Sequence, residues 1–229
     1  MATGNSFWYL ENIDVTGIFC PKKIGENEQH VAQEFKKGEY IYLPETDSDK
    51  IFFVFEGRIK IGSYNENGKE VTKTILGQGE VFGELSLIGE EKRRDFAIAM
   101  QKSTLCSIPV NDMRAIIKDH SQLNLFLMRL MGSRMMEMEQ RLESLVFKDS
   151  RTRIVEFLYQ LGIKKGQKVG FETLVRQFFT HQEIANLTAT SRQTVTTILN
   201  DLRNKNIITF NRKRLLIRDM ENLKKEYSS

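Results

Sequence analysis

The sequence predicts an α+β chain in three parts: an N-terminal sandwich or barrel of short strands, one long helix, and a C-terminal run of short helices closed by a hairpin. Three observations carry this. From about Gln33 to Pro109, β-branched and aromatic residues fill the gaps between glycines and turn signals that recur roughly every 8–12 residues. From Ser121 to Phe147 the chain has no proline and one glycine. Beyond Lys148 the charge changes sign: residues 1–148 carry net −3 and residues 149–229 carry net +7, hidden within a whole-chain charge of +4.

The strands come first. Ile51–Val54 precedes the Glu56-Gly57 break, and Arg58-Ile59-Lys60-Ile61 then alternates with period two. Asn65-Glu66-Asn67-Gly68 predicts a hairpin turn with Gly68 at positive φ. Val71 to Leu76 resumes the strand pattern until Gly77-Gln78-Gly79, and Phe96, Ile98 and Met100 later alternate with Ala97 and Ala99.

The period then becomes helical. Asn111 or Asp112 is placed to cap a helix through Met113, Ile116 and Ile117. In the long run that follows, Met128, Met131, Met135, Met138, Leu142 and Leu145 are spaced three and four residues apart, as on the seam of a coiled coil. The other faces carry Arg129, Arg134, Glu137, Glu139, Gln140, Arg141 and Glu143, so the stripe is expected to face a second copy of the chain. A methionine-rich seam packs adaptably, which suits an interface that must shift.

In the basic part, Ile154, Phe157, Leu158 and Leu161 share one helical face. Gly162 is expected to end that helix, and Lys164-Lys165-Gly166-Gln167 to form a loop. Phe171, Leu174 and Val175 fit an extended segment. Thr180 followed by Glu183 is a capping box for a helix through Leu187, Thr188-Ala189-Thr190 makes a turn, and Ser191 caps a second helix from Arg192 to about Lys205. Ile184, Val195, Ile198 and Leu202 form the inner faces, with Ala185 small enough for close crossing. This is a helix-turn-helix. Ser191, Arg192, Gln193, Thr196 and Thr197 then lie at the end of the second helix that reaches base edges in the major groove. Arginine pairs bidentately with guanine and glutamine with adenine. Ile207–Phe210 and Leu215–Ile217 flank Arg212, Lys213 and Arg214, a hairpin wing with a cationic tip suited to phosphates. Two residues depart from the common pattern: Ala189 stands where the turn usually has glycine, and Thr188 where it has an apolar residue.

Composition narrows the field further. With 40% hydrophobic and 28% charged residues the chain is globular rather than disordered. No apolar run approaches the ~18 residues of a membrane span, and the N-terminus has neither a basic nor an apolar signal region. A cytoplasmic setting without membrane attachment is expected. Two cysteines, Cys20 and Cys106, cannot supply a four-thiolate site, although they could form a redox pair. His30, His120 and His181 are scattered and lie outside the clear strands, which argues against a metal site and against a metal-dependent cupin enzyme. None of the three stands in an evident haem-ligand context. No catalytic constellation is found.

A β-roll, a long dimerising helix and a winged helix-turn-helix, in that order, resemble the cyclic-AMP receptor/fumarate-nitrate regulator (Crp/Fnr) family of bacterial transcription factors. The resemblance runs from about Ile13 to Leu223. Phe35–Ile41 through Phe55–Ile61 is similar to the early strands of a cyclic-nucleotide-binding fold, and Gly79–Ile88 followed by Arg94 to its phosphate-binding cassette. Gln182–Ala185 with Ser191–Val195 is similar to the DNA-reading helices. The resemblance implies three domains: a β-roll sensor resembling a cyclic-nucleotide-binding jelly roll over 1–118, a dimerisation helix and hinge over 119–148, and a winged helix-turn-helix over 149–229. It also implies a homodimer, a near-palindromic double-stranded DNA site, RNA polymerase as a further partner, and no enzymatic activity. A regulatory cyclic-nucleotide subunit would share the β-roll but lack the reading helix and wing.

The candidate effector pocket is Gly83, Glu84, Leu85, Arg94, Asp95 and Met138. In cyclic-AMP-binding members a hydroxyl residue follows the cassette arginine and donates to the phosphate. Here Asp95 follows Arg94; a carboxylate would repel phosphate and is placed to pair with Arg94 instead. Met138 and Glu139 stand where those members place hydroxyl residues for adenine. The expected effector is therefore an unidentified small ligand or none, with a cyclic nucleotide disfavoured as cofactor. The alternative is a cyclic-AMP-responsive regulator using Glu84 and Arg94.

Overall fold

The computed structural model describes residues 32–68, 70–119, 121–176 and 178–228. Cys20, His30 and His120 lie outside them. The chain divides between Ser133 and Arg134 into two compact units, each described on its own terms.

The N-terminal unit holds two antiparallel four-stranded sheets. The first has the order β1 (Ala32–Phe35), β8 (Ser103–Pro109), β3 (Lys50–Glu56), β6 (Val81–Phe82). The second has the order β2 (Tyr40–Tyr42), β7 (Phe96–Ala99), β4 (Ile59–Tyr64), β5 (Glu70–Leu76). Strand β3 is apolar and buried from Ile51 to Val54 because both its faces are covered there. Phe52 and Val54 point between the sheets with Ile59, Ile61, Phe82, Ala97 and Leu105. Ile51 and Phe53 point the other way, with Val81, Cys106 and Ile108, against Met113, Leu123, Phe126, Leu127 and Leu130 of two helices. Those helices are α1 (Val110–Asp119) and α2 (Ser121–Phe147). The predicted turn at Asn65–Gly68 is present, with Gly68 at φ 72° and its N–H donating to Asn65 O.

Helix α1 starts one residue ahead of the expected caps: the Val110 N–H donates to Asp49 O, a partner from a distant loop. Helix α2 keeps the bounds expected from the sequence. Its first turns are core, whereas Met128, Met135, Met138, Leu142 and Leu145 are all exposed and Met131 is half-buried.

The C-terminal unit contains α3 (Ser150–Lys165), β9 (Gly166–Val169), β10 (Glu172–Arg176), α4 (His181–Thr188), α5 (Arg192–Asn204), β11 (Ile208–Phe210), β12 (Arg214–Ile217) and α6 (Met220–Ser228). Its sheet has the order β11-β12-β10-β9, antiparallel throughout. Two segments depart from what the sequence predicts. Gly162 does not end α3, which continues to Lys165. A Cβ on Gly162 would stand 2.7 Å from Ile217 Cδ1 and 3.0 Å from Met220 Sδ, so this glycine lets β12 and α6 approach the helix. Residues 166–169 are not loop but strand β9, paired with β10. At Gly166 a Cβ would lie 2.2 Å from Gly162 O and 2.3 Å from Thr173 Cγ2. Charged residues join three of the helices: Arg151 reaches Asp201 at 2.7 Å and Glu226 at 2.5 Å, and Lys205 reaches Glu226 at 2.9 Å.

The nearest atom crowding Gly166, Gly162 O, belongs to the backbone, which cannot swing aside. Gly166→Ala is therefore expected to destabilise the chain by about 1–3 kcal/mol, measured by chemical denaturation; a neutral substitution would contradict this junction.

Candidate nucleic-acid interface and sensor pocket

The reading helix is built from its caps inward. The Thr180 hydroxyl accepts from Glu183 N while the Glu183 carboxylate accepts from Thr180 N at 2.7 Å, closing the capping box of α4. Ser191 caps α5 by accepting from Thr194 N at 3.0 Å. Ile184, Ala185, Val195, Ile198 and Leu202 are buried between the helices, as the sequence pattern requires. The opposite side of α5 presents Ser191, Arg192, Gln193 and Thr197 to solvent, with Thr196 half-buried.

The two departures in the turn have a physical account. Thr188 is buried, but its hydroxyl donates to Ile184 O at 2.7 Å and lies 3.0 Å from the Thr190 hydroxyl, so its polarity is satisfied. Ala189 adopts the left-handed conformation, φ 51° and ψ 49°, that glycine takes more easily. Sequence reading missed what holds this turn in place. Arg153, on α3, donates from Nε to Thr188 O at 2.9 Å, from one terminal nitrogen to Lys148 O at 2.6 Å and from the other to Ala189 O at 3.3 Å. A helical arginine among many carries no sequence signal for that role.

The wing tip is also ordered by side chains. Asn211 Oδ1 accepts from both Lys213 N and Arg214 N at 2.9 Å, and Arg212, Lys213 and Arg214 are all exposed. Phe210, beside the tip, is packed by the Arg203 guanidinium at 5.4 Å and edge-on by His181 at 5.8 Å. Burial, with Arg192 nearby, holds the His181 imidazole below its ordinary value and so neutral near pH 7.

In the sensor unit, Gly83 takes φ 80° and starts a short 3-10 helix, Glu84–Ile88. Glu84 is buried, Leu85 is exposed, and the Ser86 hydroxyl donates to Gly83 O at 2.7 Å. Arg94 is 84 % exposed and its nearest carboxylate is Glu90, at 3.9 Å. The expected Arg94–Asp95 pairing does not form, because Asp95 is held by Lys73 of β5 at 3.0 Å while Arg94 extends into solvent. The buried arginine is its neighbour, Arg93, at 2 % exposure. Its guanidinium stacks over Tyr42 at 4.6 Å and donates to Gly83 O at 3.3 Å and to Lys50 O. Its Nε has no hydrogen-bond partner among the described residues. Burial pushes the Tyr42 phenol well above its ordinary range, and Asp95 adds to the effect. With Ile41, Asp47, Asp49 and Lys50, Arg93 and Tyr42 line a cavity of about 290 Å³. Adjacent arginines cannot be told apart in sequence; the one that turns inward is the one that meets Tyr42 and the carbonyls of Gly83 and Lys50. Met138 belongs to the other compact unit, where it is exposed on α2. Among the described residues no cluster of His, Cys, Asp or Glu is placed to hold a metal, and no helix is long and apolar enough to cross a membrane.

A capped helix-turn-helix with a cationic wing, carried on the same chain as a β-roll, defines a DNA-binding transcription regulator with a sensor domain resembling cyclic-nucleotide-binding domains. Residues 32–120 match the cyclic nucleotide-binding domain family, and residues 152–226 match the Crp-like helix-turn-helix domain. The chain is 28% identical over 215 residues to a global nitrogen regulator of Nostoc, covering 93% of this chain and 92% of that one. It is 29% identical over 190 residues to a CRP-like cAMP-activated global transcriptional regulator of Mycobacterium tuberculosis, covering 83% and 85%. A structure of a CooA mutant from Carboxydothermus hydrogenoformans superposes with a TM-score of 0.79 at 27% identity, covering 100% of this chain and 98% of that one. The chain belongs to the Crp/Fnr family of transcriptional regulators, which are transcription factors rather than enzymes and are typically dimeric.

Glycine accepts the conformation of Ala189 without the roughly 1–2 kcal/mol cost of a left-handed L residue, and returns part of that gain as chain entropy. Ala189→Gly is expected to raise stability by about 0.5–1 kcal/mol in denaturant titrations. A destabilised variant would show that the turn depends on the alanine methyl.

Proposed function

We propose that the chain acts in the cytoplasm as a homodimeric, sequence-specific transcription regulator. One observation carries the reading: Arg192, Gln193 and Thr197 stand exposed together at the capped N-terminal end of α5, with the cations Arg212, Lys213 and Arg214 exposed on the wing of the same unit. Arg192 discriminates a base, Gln193, Thr196 and Thr197 tune the choice, and Ser191 and the wing hold phosphates. The apolar stripe Met128, Met131, Met135, Met138, Leu142 and Leu145, exposed except for the half-buried Met131, joins two copies through α2, so the pair reads a near-palindrome with half-sites about one helical turn apart. RNA polymerase is the expected further partner.

The domains of this reading are the sensor over 1–118, the helix and hinge over 119–148, and the reader over 149–229. Lys148 and Asp149, at the hinge, each make a cap bond: Lys148 N–H donates to Ser144 O, and Asp149 accepts from Thr152 N. A ligand of the β-roll shifts the two α2 helices and re-aims the reader only insofar as it binds the two arrangements with different affinity. The effector is an unidentified small ligand, or none. A second reading takes cyclic AMP as the effector, held by Gly83, Glu84, Leu85 and Arg94; the burial of Glu84 and the cAMP-activated mycobacterial relative favour it. The outward Arg94 and the carboxylate of Asp95 weigh against it.

Selection of bound sequences from random duplexes tests the core of this function. Arg192→Ala is expected to cost about 1–3 kcal/mol on the preferred site and to relax one base position; an unchanged preference would sink the assignment. Replacing Met131 and Met138 together by Lys is expected to give monomers in analytical ultracentrifugation, and persistent dimers would place the seam elsewhere.

A further inference from the structure

His181 lies at the first position of α4, away from the exposed end of α5 that the sequence singles out. Its Nδ1 is nevertheless 2.8 Å from the Thr196 hydroxyl, on the reading helix. The same hydroxyl lies 2.9 Å from Arg192 O, a carbonyl that can only accept. A hydroxyl has one proton. Both contacts are satisfied at once only if Thr196 donates to Arg192 O and His181 donates to Thr196, which fixes the neutral imidazole as the Nδ1–H tautomer. Phe210 packs edge-on against the same ring and restricts its rotation. The Thr196 hydroxyl therefore has no proton left to offer a base edge. What it can still offer an approaching duplex is its methyl group and a single acceptor lone pair.

We propose that His181 is a positioning residue for DNA readout: by holding the Thr196 hydroxyl inward, it makes the reading helix present Thr196 as an apolar contact that selects a thymine through its 5-methyl group. The inference rests on the proposal that α5 reads bases. Threonine facing DNA is ambiguous, because its hydroxyl bonds to several bases whereas its methyl favours thymine. The histidine narrows that ambiguity, without touching DNA itself, by leaving the hydroxyl no proton to donate. Asparagine at position 181 would carry an amide N–H close to the place of Nδ1, and so should substitute for the imidazole where alanine cannot.

The test uses the full-length chain and the duplex selected by it, with each thymine of one half-site replaced in turn by deoxyuridine, which lacks the methyl. The unmodified protein is expected to lose about fourfold in affinity at one position, the worth of one buried methyl. Thr196→Val, which keeps a methyl on either rotamer, should keep that discrimination, and Thr196→Ser should lose it. His181→Ala should lose it and accept other bases at that position, and His181→Asn should restore it. If no deoxyuridine weakens binding, or if Thr196→Ser or His181→Ala discriminates as the unmodified protein does, the proposal is overturned. Thr196→Ser removes a single methyl, so unchanged discrimination in that variant overturns the proposal even if the histidine variants fold poorly. Arg192→Ala separates the two levels. If that variant leaves the selected sequence unchanged, base reading by α5 itself has failed. If it alters the sequence while Thr196→Ser does not alter methyl discrimination, only the role of His181 has.

Discussion

The reader depends on one guanidinium. Arg153 donates to the carbonyls of Lys148, Thr188 and Ala189, and so ties the start of α3 to the turn between α4 and α5. A tight turn between helices leaves carbonyls without intrahelical partners. In this turn they are met by a cation whose donors are fixed in a planar fork. The angle at which α5 leaves the turn is set there, and with it the direction of Arg192, Gln193 and Thr197. The constraint also makes room for two unusual choices. Ala189 is held in a left-handed conformation by bonds on either side, and the buried Thr188 finds both a carbonyl and a hydroxyl partner.

The sensor half uses an arginine in a similar way. Arg93 is stacked on Tyr42 and bonded to the carbonyls of Gly83 and Lys50, so it ties the start of the 3-10 helix to strand β3. A cation buried among aromatic rings and carbonyls, with one donor unmet among the described residues, is a polar anchor beside the apolar core of the roll. The adjacent Arg94 faces outward. A comparison of cassettes by spacing alone therefore settles on the arginine that does not enter the roll.

Much of the fold could be read in advance because it rests on local rules. The strand run with its Asn65–Gly68 turn, the bounds of α2, the capping box at Thr180 and the cap at Ser191 all follow from period and cap chemistry within a few residues. The failures share one cause, which is that they depend on which other element packs against or pairs with the segment, and local period does not reveal that. Gly162 looks like a helix end until Ile217 and Met220 are placed against it, and residues 166–169 look like loop until β10 supplies a partner. In the candidate site the outward-facing residues of α5 were legible from helical geometry. Arg153, Arg93 and the bond between His181 and Thr196 were not, since each depends on partners that only the folded chain brings together.

The nature of Arg153's partners has a further consequence. They are neutral carbonyls, so the turn is held by hydrogen bonds rather than by a pair of opposite charges, and mobile ions screen such contacts far less than they screen separated charges at a surface. Contacts from Arg212, Lys213 and Arg214 to phosphates would belong to the screened kind, weakening steeply as ionic strength rises. The force that shapes the reader and the force that holds it on a polyanion thus answer to different variables. Salt can strip the protein from a duplex while leaving the turn, and the aim of α5, intact.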